Sequence, residues 1–563
     1  MLSKSAATKI ILLLLAASLL MGLGRIAMLP PFEGYDETAH YSRLEAEAFA
    51  TPGTSTGFIT TDVEDYYARG PMSPRWIFAR AFNNAYHEAL KNKTPLRLDD
   101  QIRKEKKYTD YRAFFSQPAR IQEYTKIYRD QPGPAAFKAS KTLNWQFQHP
   151  PLYYVVFGKV LRAVDNDPLI SRLFTLRTLS YLTAFAGFLI GLFATRRHLE
   201  LRNNRNAQDI SVFCAFYPFV MAVYFEEFAR LGNDSLCALL FAINWALLLW
   251  YLRKPGEPFI WALLGIIMGL SYLTKMLMLP ATVGFLFFML LQKPAKPGFL
   301  NRLAPPATAG AIAFVIGYLS TMNGGFVGSI ELAAWMHGKG YVTSDGGIPW
   351  FGIFFNLTTM LTSMVYNFTD LATFRAGAGA VTAIFIALLY VLFCWLMSLP
   401  RNPRREEWLP LYPLLLLMGG LVLHGVLAAF AYRMGAVGVT PARYIHVEAP
   451  ALMLIFGGGM SQMLSQRGGR FFTGLLLVGA ILFNATIMAL RLAFFAGCAW
   501  SGDNYSGLQI DRGGEACQAQ VILDRLAVLG MPMFGLSCLV AAFLLLIIAT
   551  VKAMRKMSWE YDM

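Results

Sequence analysis

The sequence predicts an all-α polytopic membrane protein of about twelve transmembrane helices, with one large loop outside the membrane after the first helix. Three observations predict it. Of 563 residues, 55% are hydrophobic and 15% charged, with a mean hydropathy of +0.42, whereas soluble domains carry roughly 25% charged residues. Stretches of about 20 nearly uncharged residues recur, the length that crosses a hydrocarbon core of about 30 Å. The 50 Lys and Arg exceed the 35 Asp and Glu by 15, an excess that basic cytoplasmic loops account for under the positive-inside rule, so no nucleic-acid partner is needed.

The first apolar run, Ile10 to Leu29, follows Lys4 and Lys9. It exceeds a signal-peptide core and lacks a small-residue cleavage site, so it reads as an anchor. Further spans fall near 170–194, 208–228, 235–252, 258–274, 276–292, 304–322, 377–398, 410–432, 446–464, 471–494 and 529–551. With both termini cytoplasmic, the basic loops around Arg196, Arg253, Lys293, Arg401, Arg470 and Lys552 all lie on one side. Residues 150–161 are apolar but short and read as an interfacial helix, the alternative being a tilted span that would reverse every later loop. The expected organisation is a first helix (1–30), a large external loop with interfacial helices (31–165), a transmembrane core carrying the site (166–465) and C-terminal spans with a Cys-containing external loop (466–563). Loop lengths and the lack of a retention signal favour a bacterial inner membrane. No internal repeat is visible. Cys498 and Cys517 share one external loop and pair if that side is oxidising.

Residues able to carry chemistry gather where spans meet the external side. After Pro30-Pro31 stops the first helix, Asp36-Glu37 stands at the start of a new one, so Asp36, His40 and Arg43 share a face while Glu37 and Tyr41 lie on another. The plain alternative is that Asp36 is an N-cap and Glu37 a favourable first-turn charge. His149-Pro150-Pro151-Leu152-Tyr153 closes the large loop. Glu226, Glu227, Arg230, Asn233 and Asp234 form a polar cluster between apolar runs, which loop solvation explains in part and a substrate path explains otherwise. Lys275 either snorkels to the interface or holds an anion. Arg443, next to Tyr444, either forks onto a phosphate or pairs with an acid. Carboxylates to accept a proton and cations for a leaving phosphate suit group transfer from a lipid phosphate.

This ordered set, Asp36-Glu37, His149 to Tyr153, Arg172 and Arg177, Asn233-Asp234, Leu273-Thr274-Lys275 and Arg443-Tyr444, resembles the GT-C superfamily of membrane glycosyltransferases, which includes protein O-mannosyltransferases and the lipid A aminoarabinose transferase group. The landmarks extend over roughly residues 1–465; Phe32-Glu33-Gly34-Tyr35 departs from the usual approach to the acidic pair. The resemblance implies a polyprenyl-phosphate-linked sugar donor and a glycan, lipid or protein acceptor. It implies Asp36 as the base that deprotonates the acceptor hydroxyl, with Glu37 orienting it or an ion. Lys275 and Arg443 would stabilise the departing phosphate, and His149 with Tyr153 would line a substrate pocket. His40, Arg177, Arg230, Asn233, Asp234 and Tyr444 complete the candidate substrate-binding set. A divalent cation is left open, with Asp36, Glu37 and His149 as its candidate ligands. Two other readings stand beside this one. A transporter or lipid flippase requires charges deep within spans, and a non-catalytic envelope-assembly scaffold tolerates loss of Lys275 and Arg443 together.

Overall fold

The computed structural model describes residues 2–51, 56–72, 109–131, 137–293 apart from 145, 147 and 148, 298–322, 350, 353, 357, 360, 363, 375–400, 405–432, 442–501 apart from 467, 508–510 and 517–559. Most of the segment between the spans predicted at 304–322 and 377–398 lies outside these residues. The protein is an all-α polytopic membrane protein, and each of the predicted spans is helical. Among the described residues, eight helices are long and apolar enough to cross a membrane. They are α1 (Lys4–Met28), α7 (Leu169–Leu201), α10 (Asp234–Tyr251), α13 (Phe299–Met322), α14 (Arg375–Ser398), α16 (Ala449–Leu464, entered through a 3-10 turn, Ala442–Glu448), α17 (Gly469–Phe495) and α19 (Pro532–Trp559). Helices α11 (Pro258–Thr274), α12 (Met278–Leu291) and α15 (Leu411–Tyr432) occupy three more predicted spans.

The span expected at 208–228 is a correction. It divides into α8 (Ala207–Val220) and α9 (Val223–Phe228), with Pro218 inside the first. A proline withholds one backbone donor and crowds the preceding turn, and the helix ends two residues later. The break turns Glu226 and Glu227 inward; both are buried rather than solvated in a loop.

Helix α6 (Leu152–Ala163) has 12 residues, about 18 Å of rise, too little for the bilayer core. It buries Tyr153, Tyr154 and Phe157 and exposes Val155 and Val156, and Arg162 Nε donates to Ala48 O at 2.6 Å. It is thereby fastened along α2 (Glu37–Phe49).

Two sets of close approaches hold the bundle. A Cβ on Gly457 would meet Ile210 O at 2.6 Å, and one on Gly459 would meet Val391 O at 2.1 Å, so only glycine lets α16 slot between α8 and α14. The first and last helices also press together. A Cβ on Gly24 would lie 2.9 Å from Gly535 O, and Met531 N donates to Ala27 O at 2.9 Å.

The described part of the large loop folds on an aromatic core. Phe32 packs edge-on against Tyr41 and Tyr66 at 5.3 and 5.1 Å, and Tyr66 continues to Tyr124 and Tyr128. Strands β1 (Phe58–Thr60) and β2 (Ala139–Leu143) pair antiparallel, with Phe58 opposite Leu143. Thr60 N donates to Ser42 Oγ at 3.1 Å and Asn144 Nδ2 to Ala39 O at 2.9 Å, tying this pair to α2. Cys498 and Cys517 are disulfide-bonded, beside a hairpin of β3 (Ala499–Ser501) and β4 (Leu508–Ile510).

Within this subdomain Glu45 is fully buried. Burial first, then the neighbouring Asp62 charge, pushes its carboxyl well above the ordinary value, and Asp62 is raised too. The folded chain therefore keeps a proton that the unfolded chain releases, and stability falls as pH rises through that window. We expect the melting midpoint of the wild type to fall as pH rises above the ordinary glutamate value of about 4.3, and Glu45→Gln to flatten that slope and to match or exceed the wild type at the alkaline end, at pH 9. A variant less stable than the wild type at pH 9 would contradict the assignment.

Candidate functional site

The site begins where α1 ends. Pro30-Pro31 forbids helix continuation, and the chain turns through Phe32 and Asp36, both with positive φ (62° and 54°). Aspartate tolerates such an angle, whereas a bulky residue such as Phe32 holds it only at a cost that the surrounding packing offsets. Asp36 occupies the N-cap of α2, yet its side chain makes no capping hydrogen bond. Its carboxylate is 28% exposed, with Oδ2 3.7 Å from Arg443 Nη2.

Its neighbour Glu37 faces the other way and is fully buried. Arg177 grips it in a two-pronged fork, Nε to Oε1 at 2.7 Å and Nη2 to Oε2 at 2.5 Å. The amides of Leu231 and Gly34 supply one further bond to each oxygen, at 3.1 and 3.2 Å. Arg177 also donates to Leu29 O and Pro30 O. Burial alone would raise the Glu37 carboxyl, but the Arg177 charge and these donors outweigh it and hold it below the ordinary value. The pair is thus a clamp joining the end of α1, the start of α2 and α7. In this structure Arg177, a substrate-binding candidate in the sequence, is spent on that clamp.

From Asp36 a chain of charges runs inward. Arg443 Nε lies 2.8 Å from Glu227 Oε2, and Arg230 Nη2 bonds Glu227 Oε1 at 2.5 Å and Asp234 Oδ2 at 3.1 Å. Lys275 Nζ closes the series on Asp234 Oδ1 at 2.6 Å. All except Asp36 are buried. Tyr35 and Tyr444 frame the cations: Arg443 sits over the Tyr35 ring at 3.8 Å and Lys275 over Tyr444 at 4.1 Å, while Arg230 Nη1 donates to Tyr35 O at 2.7 Å. Three cations and two acids are buried in this series, with Asp36 as the third acid at its mouth. A group that reaches Asp36 reaches the end of a prearranged electrostatic chain.

The remaining candidates form the surroundings. Buried His40 pairs Nδ1 with Tyr154 OH at 2.9 Å and stacks on that ring; burial, then the Arg230 charge, pulls its imidazolium well below the ordinary value. Burial, then Lys275, pulls His149 down to about 3. Both imidazoles are therefore neutral near pH 7. Because the unfolded chain would bind those protons first, both histidines cost stability as pH falls below about 6.5. Half-buried His149 and Tyr444 share the mouth with Asp36. Tyr153 is turned away, bonding Ser180 Oγ at 3.3 Å inside the bundle, and Asn233 Nδ2 donates to Thr274 O at 3.3 Å.

Glu37 does not fit a cation-ligand role: a carboxylate offers about four lone-pair directions, and four donors already fill them. Among the described residues, no group of three or more His, Cys, Asp or Glu side chains is arranged to hold a metal ion.

A second buried cluster escaped the sequence reading. Arg25 in the last turn of α1 and Arg491 in α17 both bond Glu226, and Arg25 Nη2 donates to Asn484 Oδ1 at 2.8 Å. The available signal was an ionisable residue within each of two apolar runs.

No family model and no curated protein matches the chain. Among solved structures it is similar to the crystal structure of ArnT from Cupriavidus metallidurans bound to undecaprenyl phosphate, at 14% identity over 72% of this chain and 68% of that one, with a TM-score of 0.36.

Proposed function

We propose that this chain is a GT-C-type glycosyltransferase that moves a sugar from a polyprenyl-phosphate donor to an acceptor hydroxyl at the external face of a bacterial inner membrane. The observation that carries the reading is the charge series from Lys275 to Asp36, with its one accessible acid at the mouth. Asp36 takes the proton of the acceptor O–H as that oxygen attacks the anomeric carbon. The bond from that carbon to the phosphate oxygen breaks, and the bonding pair leaves with the polyprenyl phosphate. Once Asp36 is neutral, the series holds three cations against two acids, so a positive charge is uncovered as the leaving phosphate gains a negative one. Arg443, nearest the mouth, meets it, while Lys275 and Arg230 hold the acids that keep Arg443 in place. Neutral His40 and His149 add no competing charge. Asp36 and His149 are the groups left to meet a divalent cation, and no step above passes through one.

The test is release of polyprenyl phosphate from a panel of radiolabelled polyprenyl-phosphate sugars in proteoliposomes. Wild type is expected to cleave one donor, and Arg443→Gln, at matched folded fraction, to be slower by about 10²- to 10³-fold. If wild type moves the labelled lipid between leaflets uncleaved, the flippase reading replaces this one. If well-folded Lys275→Ala/Arg443→Ala protein retains full function, the scaffold reading does.

A further inference from the structure

We infer that the groove between α7 and α10, at the end of the bundle opposite the charge series, binds an anionic phospholipid of the adjoining leaflet. On α7, Arg177 belongs to the site end; Arg197 is twenty positions on, about 30 Å away along the axis, one hydrocarbon thickness. The α7 wall of the groove is Ile190, Ala194 and Arg197, an i, i+4, i+7 face; the α10 wall includes Ala246 and Trp250, and Arg253 follows just beyond that helix. The two alanines make the hollow, because the flanking side chains are larger. Its apolar floor runs along the bundle toward the hydrocarbon, and both arginines stand at its rim beside Trp250, a residue type enriched at bilayer interfaces.

The charge at the rim is what commits the groove to an anionic lipid. Neighbouring bases are neutralised locally: Arg196 pairs with Glu200, Arg202 with Glu406, and Lys254 with Glu257. Arg197 and Arg253 are exposed and lie in no ion pair among the described residues; Arg253 Nε only donates to Leu249 O at 3.3 Å. An acyl chain in the hollow places a lipid phosphate between two guanidinium forks; zwitterionic lipids offer that phosphate too, but bring a cation with it, so the net negative headgroup is favoured beside two arginines. On the positive-inside orientation this is the cytoplasmic leaflet, far from the proposed chemistry, so the inference stands independently of the transferase reading.

The experiment is native mass spectrometry of the full-length protein taken from nanodiscs of equal phosphatidylglycerol and phosphatidylcholine with matched acyl chains. Wild type is expected to retain phosphatidylglycerol with a preference of about 30-fold, roughly one charge interaction per arginine. Arg197→Gln/Arg253→Gln should lose that preference, and Lys254→Gln, removing a paired charge outside the groove, should keep it. Ala246→Leu, which fills the hollow and leaves every charge, should also lose it. No preference in the wild type, an undiminished preference in either groove variant, or equal loss in Lys254→Gln would overturn the proposal. So would displacement of the lipid by inorganic phosphate, which would assign the arginines to the free anion.

Discussion

Asp36→Asn is expected to lower sugar transfer by about 10²- to 10⁴-fold, the span that removal of a positioned base produces, while leaving the melting midpoint within about a degree of the wild type. Stability should survive because the Asp36 side chain caps nothing and is 28% exposed, and asparagine tolerates the positive φ that the turn demands. Donor affinity should hold or tighten, since the substitution uncovers the charge that otherwise appears only during transfer. Measured donor binding together with single-turnover release therefore separates a base from a binding group. Equal losses in affinity and rate would place Asp36 in ground-state binding, and unchanged rates would remove it from the chemistry.

The second large effect is structural. Glu37→Ala leaves Arg177 buried with its countercharge gone and is expected to cost about 3–5 kcal/mol, a large share of the 5–15 kcal/mol that ordinarily holds a domain folded. Replacing both partners with leucine should cost less than the single change, because no unpaired ion is then buried. Acid should reproduce part of the loss. The Glu37 carboxyl is held below its ordinary value, so its contribution is complete above the unfolded value and disappears as pH falls through the folded one. Melting midpoints of wild type, Glu37→Ala and Glu37→Leu/Arg177→Leu check this. A single variant no less stable than the double would show that the clamp bears no weight.

Legibility followed sequence distance. Helices were readable because each apolar run is contiguous and set off by prolines or basic residues; the shortness of α6 was readable from the length of its apolar run. The convergence of Asp36, Asp234, Lys275 and Arg443 was readable because every one lies at a span boundary on the same side. Partnerships were not. Glu37 and Arg177 are 140 positions apart, and nothing local distinguishes a carboxylate that meets substrate from one enclosed by four donors. The break after Pro218 hid inside a run whose average hydropathy suits an unbroken span. Arg25 and Arg491 went unread because a lone charge hardly changes the mean of an apolar window, although Glu226 binds both.

The contact between α1 and α19 has a consequence for biogenesis. Helix α1 leaves the ribosome long before α19, yet packs against it through Gly24, Ala27, Met531 and Gly535, and its Arg25 meets Glu226 when α9 is made and Asn484 only with α17. The turn bearing Asp36 springs from that same helix. Assembly of the end of α1 that carries this turn is therefore a late event of synthesis, complete only when segments of α9, α17 and α19 have joined it.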